Sequence, residues 1–166
     1  MYTALQDFLF EWREESEKTL TIFEAIDEDS KSLKEYDNLR SLERLAWHIT
    51  QNLTEMPFRA GLIIEDLLEK EPIPKSINSI ISQYKIFSKE LIEKINSEWK
   101  DEDLLRSVKV YGQEWNIGKI LDILVKHQIH HRGQITTLMR INGMKVPGIY
   151  GPSKEEWKQF GMQTQE

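Results

Sequence analysis

The chain has 166 residues, 39% of them hydrophobic and 10% aromatic, which is enough for one domain over residues 1–166 with a buried core and excludes a globally disordered chain. The net charge of -6 argues against nucleic-acid binding, because an acidic surface repels phosphate groups. The chain has no cysteine, so disulfides, thiolate metal sites and cysteine nucleophiles are excluded.

The sequence also lacks the patterns of a membrane-spanning or secreted segment. The longest run without Asp, Glu, Lys or Arg extends only from Leu45 to Thr54, which is too short to span a bilayer. Asp7 and Glu11 interrupt the apolar stretch that a signal peptide requires. We therefore expect a soluble, cytoplasmic protein that contacts neither membranes nor nucleic acids.

Apolar side chains recur at steps of three and four residues in four segments, which predicts four amphipathic helices. The first pattern covers residues 5–26. The second covers residues 42–63, after a charged, loop-like stretch, with Asn38 or Ser41 as the capping residue. Pro57 lies inside the second pattern, and because the apolar spacing continues beyond it, we predict a kink at this proline within a continuing helix.

The third and fourth helices are predicted over residues 77–99 and 117–138. Ser76 and Asn116 precede these patterns and are their candidate capping residues. Gly143, directly after an asparagine, marks the end of the fourth helix because glycine readily adopts the left-handed conformation of a helix terminus.

Two further segments differ from the long helices. In residues 101–115, Val108 and Val110 alternate with charged neighbours and Gly112 follows, which predicts a short irregular or hairpin-like excursion before the fourth helix. Residues 144–152 are rich in Gly and Pro and predict a surface loop, and Ser153 followed by Glu156 is a capping-box pattern for a short C-terminal helix. Together these elements predict an all-α fold, a four-helix bundle.

Three of the four histidines lie together in the fourth predicted helix, in the sequence HQIHH. At about 100° per residue, His127 and His131 fall on the apolar stripe one turn apart, whereas His130 falls outside it and is expected at the outer edge of the bundle. Two imidazoles at positions i and i+4 can converge on one metal ion. The alternative is a pair of buried core histidines that bond to backbone carbonyls.

His48 is the remaining histidine on a core-facing helix, and it is the candidate third ligand. It lies at the edge of the apolar stripe, where Asn52, Glu55 and Arg59 continue a polar edge over successive turns. Such an edge is either a solvated flank of the helix or a metal ligand with polar groups that support it and face a substrate.

The order of these parts resembles the DinB/YfiT-like metal-binding four-helix bundles over nearly the whole chain. The resemblance rests on LAWHITQ around His48, a long third helix and HQIHHRGQ in the final helix, with VPGIYGPS beyond it as a less specific match. It implies a metal site formed by His48, His127 and His131, and residues 132–134 match the Arg-Gly-Gln stretch that commonly follows the last histidine.

The resemblance also implies a divalent metal ion, with zinc and nickel as the leading candidates, and a chain that forms a homodimer. Three neutral imidazoles leave such an ion its full charge and at least one open position. An ion of this kind activates water for hydrolysis or binds a thiolate for transfer, and the family includes transferases that act with low-molecular-weight thiols. We therefore expect a small-molecule substrate, a small thiol as candidate co-substrate, and a hydrolase or thiol S-transferase activity.

Several residues beside the predicted ligands are candidates for roles in that chemistry. Glu55 is a candidate general base, although a surface carboxylate paired with Arg59 is the commoner role for such a residue. Asn52 and Gln134 are placed to support the ligands or to orient water or substrate. Nearby aromatic residues either line an apolar pocket over the metal or serve in packing, which is the commoner role: Trp47, Tyr111 and Trp115.

Two other functions fit the same residues. In the first, the ion cross-braces two helices without catalysis, which requires a fourth protein ligand such as Asn52 or Glu55. In the second, the histidines serve only in packing and dimer contacts, and the purified protein carries no metal.

Overall fold

A computed structural model of the chain describes residues 1–34 and 37–163. The predicted architecture, an all-α four-helix bundle with a hairpin before the fourth helix, is confirmed. The elements are α1 (Leu5–Glu24), α2 (Leu42–Arg59), α3 (Ile77–Glu98), a 3-10 helix (Asp101–Leu105), β1 (Ser107–Val110), β2 (Gln113–Asn116), α4 (Ile117–Ile141) and a second 3-10 helix (Trp157–Phe160). Each of α1 and α2 packs against both α3 and α4, which places the two histidine-bearing helices side by side.

Side-chain caps begin three of the helices at predicted residues. Ser41, Ser76 and Asn116 each accept a hydrogen bond from the backbone N–H three residues later, and Ser41 is therefore the cap of α2. The start of α1 has no side-chain cap of its own. Instead, the Leu5 N–H donates to Asp101 Oδ1 at 2.8 Å, so a residue distant in sequence satisfies a donor of the first turn.

The second helix does continue past Pro57, as predicted, but its predicted extent to residue 63 is wrong, because α2 ends at Arg59. Gly61 adopts a φ of 74°, and the N–H of Leu62 donates to the Pro57 carbonyl, as in a Schellman ending. A left-handed residue cannot extend a right-handed helix. The apolar pattern misled because several residues beyond the turn are also buried in the core. By contrast, α4 ends by the same device at Gly143, as predicted.

The excursion before α4 is a two-stranded antiparallel hairpin. Val110 pairs with Gln113, and the turn residues Tyr111 and Gly112 have φ values of 49° and 78°, which match the two-residue turn that suits the twist of paired strands. The predicted short C-terminal helix is the second 3-10 helix. Before it, Glu156 accepts a hydrogen bond from the Ser153 N–H at 2.9 Å, one half of the predicted capping box.

The core draws apolar side chains from all four helices and from the hairpin. Burial of one large apolar side chain contributes about 1.5–3 kcal/mol relative to its exposure, so the aromatic centre of the bundle is a major source of stability. The aromatic side chains that are almost fully buried are Phe8, Trp12, Phe23, Trp47 and Tyr84. Among the described residues, no helix combines the length and the apolar character needed to cross a bilayer.

Two glycines of α4 are expected to respond in opposite directions to alanine. A Cβ at Gly118 would lie 2.3 Å from the backbone oxygen of Tyr2, so Gly118→Ala is expected to destabilise the fold by about 1–3 kcal/mol. A Cβ at Gly133 meets nothing within 4 Å, so Gly133→Ala is expected to stabilise the fold by about 0.5–1 kcal/mol. Urea unfolding measures both changes, and shifts of the same sign would contradict this reading of the helix packing.

Candidate metal centre

Two neighbouring helices bring three histidines together. His48 lies in α2, and His127 and His131 lie in α4. The ring centroid of His48 is 5.0 Å from that of His127 and 4.7 Å from that of His131, and the two α4 rings are 4.3 Å apart. One ring nitrogen from each residue lies within 4.8 Å of the other two, so these residues can hold a metal ion.

The two α4 histidines have the separation expected of neighbouring ligands on one ion. The distance from His131 Nε2 to His127 Nε2 is 3.0 Å. Zinc binds an imidazole nitrogen at about 2.1 Å, and two such bonds at about 90–110° place the nitrogens about 3.0–3.4 Å apart. The i, i+4 spacing on a regular helix is sufficient to produce this arrangement.

Gln134 determines which nitrogen of His131 is available. His131 Nδ1 lies 2.7 Å from Gln134 Oε1. Because an amide oxygen only accepts hydrogen bonds, Nδ1 carries the proton and Nε2 keeps the lone pair that a metal requires. His130, one residue earlier, is exposed and lies outside the cluster, with its Nε2 3.2 Å from Gln134 Nε2.

Neither neutral tautomer of His127 is fully satisfied by the described residues. Among the described residues, its Nδ1 has no hydrogen-bond partner. If Nε2 of His127 carried the proton toward His131, the buried Nδ1 lone pair would be unsatisfied. If Nδ1 carried it instead, two Nε2 lone pairs would face each other across 3.0 Å, which a cation between them stabilises. The donor set therefore fits a metal ion.

The three rings are held in their neutral form. Burial, followed by the positive charge of His131, lowers the pKa of His48 and of His127 to about 4. Burial also lowers the pKa of His131, and Arg40 contributes positive charge there and at His48. Neutral imidazole is the form that ligates metal, so the site is competent to bind an ion at neutral pH.

Glu55 lies near the histidines but does not belong to the cluster of ligand atoms. Its Oε1 accepts hydrogen bonds from Arg59 Nε at 3.0 Å and from the Tyr111 hydroxyl at 2.5 Å. The i, i+4 pair with Arg59 is therefore present, and the hairpin turn adds a second partner. Asn52 is buried, and its Nδ2 donates to the His48 backbone carbonyl at 2.8 Å, which ties its amide to the turn that carries His48.

The candidate pocket aromatics lie in different environments. Trp47 is fully buried in the core, and its Nε1 donates to the Glu71 carbonyl at 3.3 Å, so its role is packing. Trp115 in β2 is half-buried, lies edge-on to Tyr111 with ring centroids 6.1 Å apart, and has the Lys119 ammonium 4.5 Å from its ring centroid. The hairpin thus places Tyr111 and Trp115 together on the side of the bundle that carries Glu55.

A buried ion pair that joins α4 to α1 was not predicted from the sequence. Arg132 and Glu15 are both buried and form a charged hydrogen bond between α4 and α1. Arg132 Nη1 also donates to the Glu15 carbonyl at 2.9 Å and to Thr19 Oγ1 at 3.1 Å. The Tyr150 hydroxyl reaches this pair from the C-terminal loop and donates to Glu15 Oε2 at 2.6 Å.

A signal for this pair was present in the sequence. Glu15 lies three residues after Trp12 and four before Thr19, and is therefore on the buried stripe of α1. Arg132 lies four residues after Gln128 and is therefore on a buried stripe of α4. Opposite charges on two apolar stripes indicate a buried pair, because an isolated buried charge is strongly unfavourable.

These features define the class of protein: a four-helix bundle in which two adjacent helices present three neutral histidines that can hold a metal ion. The chain belongs to the DinB family, whose model matches residues 1–166 and in which metal binding is a general property.

Individual relatives agree with this assignment. The uncharacterized protein YrdA of Bacillus subtilis (strain 168) is 33% identical over 164 residues, covering 99% of this chain and 98% of YrdA. A crystal structure of a DinB-like protein from Bacillus cereus ATCC 10987 superimposes with a TM-score of 0.83 at 33% identity, covering 90% of this chain and 100% of that one. The DinB-like protein YjoA of Bacillus subtilis shares the fold at 18% identity, with a TM-score of 0.68 over 86% of this chain and 96% of its own.

Replacement of Gln134 by leucine is expected to weaken metal binding about 10–100-fold, because His131 loses the acceptor that fixes its tautomer. Competition with a fluorescent zinc chelator measures this affinity. Gln6→Leu, on the exposed surface of α1, is the matched control and is expected to leave the affinity unchanged. Equal affinities for the Gln134→Leu variant and the wild type would show that the amide does not orient the ligand.

Proposed function

We propose that this protein is a metal-dependent enzyme in which His48, His127 and His131 hold one divalent ion, with zinc and nickel as the leading candidates. The observation that carries the proposal is the number of ligands. Within residues 1–34 and 37–163, the cluster contains three histidines and no aspartate or glutamate. Three protein ligands leave an open coordination position, which is typical of catalytic zinc sites, whereas structural zinc sites are closed by a fourth ligand.

When bound, a divalent ion with an open position lowers the pKa of a bound water or binds a thiolate, which supports hydrolysis or thiol transfer. The neutral rings contribute no negative charge, so the ion keeps its full Lewis acidity. Gln134 keeps the proton of His131 on Nδ1 and directs Nε2 toward the centre.

Glu55 is the proposed general base of the site. Both of its hydrogen bonds, from Arg59 and Tyr111, reach Oε1, and Oε2 has no partner among the described residues. A carboxylate oxygen that is free to accept a proton beside a metal centre suits that role. The substrate proposed here is a small molecule, with a low-molecular-weight thiol as the candidate co-substrate if the reaction is a transfer.

The test is a joint measurement of metal and activity. Freshly purified protein is analysed for metal content and coordination number, then assayed for thiol-dependent transfer and for ester and amide hydrolysis before and after chelation. We expect about one divalent ion per chain with an open position, and an activity that chelation abolishes and metal restores. A fourth protein ligand without any metal-dependent turnover would identify a bracing ion, and an activity indifferent to chelation would reject the metal mechanism.

A further inference from the structure

A groove of about 640 Å³ opens beside His131, on the side of α4 that faces the segment before α2. One wall is formed by α4 between His130 and Ile141. The other wall is formed by residues 38–40 and by Leu45 of α2. Because His131 lines this groove, a molecule bound there lies beside one of the three histidines that can hold the ion, while His48 and His127 are not among the described residues of the lining.

The charge of the groove differs from that of the protein. The whole chain carries a net charge of -6, yet none of the described residues that line the groove is acidic. Among the described lining residues, Arg40 alone carries a fixed charge. It is exposed, and no ion pair involving its guanidinium is formed within residues 1–34 and 37–163. A planar guanidinium with free donors is well suited to a carboxylate.

Part of the groove is suited to an apolar group. Leu45 is almost fully buried, and Leu138 and Ile141 lie on the opposite wall. Gly133 also lines the groove, and the space where its side chain would begin is open, so no side chain narrows the groove at this position. Polar residues share the lining with this apolar part: Asn38, His130, His131, Gln134 and Thr137. A groove with an apolar part and one cationic group favours a ligand that is itself part apolar and part anionic.

We propose that this groove binds a small anionic molecule whose carboxylate pairs with Arg40 and whose apolar part lies along Leu45, Leu138 and Ile141. This proposal rests on the proposed function, because the groove shares His131 with the metal centre. It adds to that function the chemical class of the substrate. Arg40 is a specificity residue in this arrangement and takes no part in the reaction itself.

The test compares three probes of equal chain length and different charge. Calorimetric titrations of zinc-loaded protein use hexanoate, hexan-1-ol and hexylamine. Hexanoate is expected to bind up to about fivefold more tightly than either the neutral or the cationic probe, and Arg40→Gln is expected to weaken only hexanoate, by about the same factor. Arg13→Gln on the exposed surface of α1 is the matched control and should change none of the affinities.

Metal content is measured on the same samples, so that failure of the groove proposal can be distinguished from failure of the proposed function. Retained zinc with equal binding of the three probes overturns the groove proposal and leaves the proposed function intact. The groove proposal is also overturned if Arg40→Gln leaves the affinity for hexanoate unchanged while a zinc-free histidine variant loses it. That result would place the carboxylate on the metal. If the wild type binds no zinc, the proposed function fails, and the Arg40→Gln comparison in metal-free protein still decides the role of the groove.

Discussion

A variant with both His127→Ala and His131→Ala is expected to retain less than about a tenth of the bound metal of the wild type, because two of three ligands are removed. His48 alone remains of the three ligands, and a single neutral imidazole binds divalent ions weakly. Elemental analysis after identical purification measures the loss. Any activity that chelation removes from the wild type should be lost in the same variant.

His130→Ala is the matched control for this experiment. His130 lies on the same helix, but it is exposed and outside the cluster, so its removal is expected to leave the metal content unchanged. Equally low metal content in the wild type and the double variant would refute the metal centre. The histidines would then be core and surface residues of a bundle that functions without an ion.

Removal of Arg132 is expected to produce the largest loss of stability of any single change considered for this chain. Arg132→Met leaves the Glu15 carboxylate buried between α1 and α4, with only Lys18 and Tyr150 as polar side-chain partners. Removing one partner of a buried ion pair costs about 3–5 kcal/mol. Because Lys18 still contacts Glu15 at 2.7 Å, we expect a loss of stability at the lower end of this range, about 3 kcal/mol. Urea unfolding at neutral pH measures the change.

This loss is expected to depend on pH. Hydrogen bonds from Lys18, Tyr150 and Arg132 outweigh desolvation and lower the pKa of Glu15 below its usual 4.5. A depressed pKa contributes stability above about 4.5, and that contribution is lost as the pH falls through the lower folded value. Arg132→Met removes one of the groups that lower the pKa, so the difference in stability from the wild type should shrink as the pH falls below about 4.5. A difference that does not change with pH would show that the ionised pair is not its cause.

Replacement of both charged partners separates the ion pair from simple packing. The double variant Glu15→Leu, Arg132→Met leaves no isolated charge, so its loss of stability is expected to be smaller than that of Arg132→Met alone. Arg13→Met on the exposed surface of α1 is expected to change stability by less than about 0.5 kcal/mol. A double variant less stable than Arg132→Met would mean that Glu15 contributes mainly through contacts other than the ion pair.

The sequence by itself determined the local features of this fold. The helical period, the capping residues Ser76 and Asn116 and the termination at Gly143 are all encoded within a few neighbouring residues, and the structure agrees with each. For α2 the sequence offered Asn38 or Ser41, and the structure shows that Ser41 is the cap. The i, i+4 relation of the two α4 histidines is local for the same reason. One local feature was misjudged, because the apolar spacing beyond Pro57 outweighed the turn signal of Gly61.

Only the tertiary structure decided which helix faces meet. It brings His48 of α2 to ring-centroid distances of 4.7 and 5.0 Å from the α4 pair, and it sets Glu15 against Arg132 across α1 and α4. Asp101 caps α1 from a distant segment in the same way. The helical period of a sequence predicts which residues share one face of a helix. Which other helix packs against that face depends on the packing of the whole core, and no stretch of neighbouring residues encodes it.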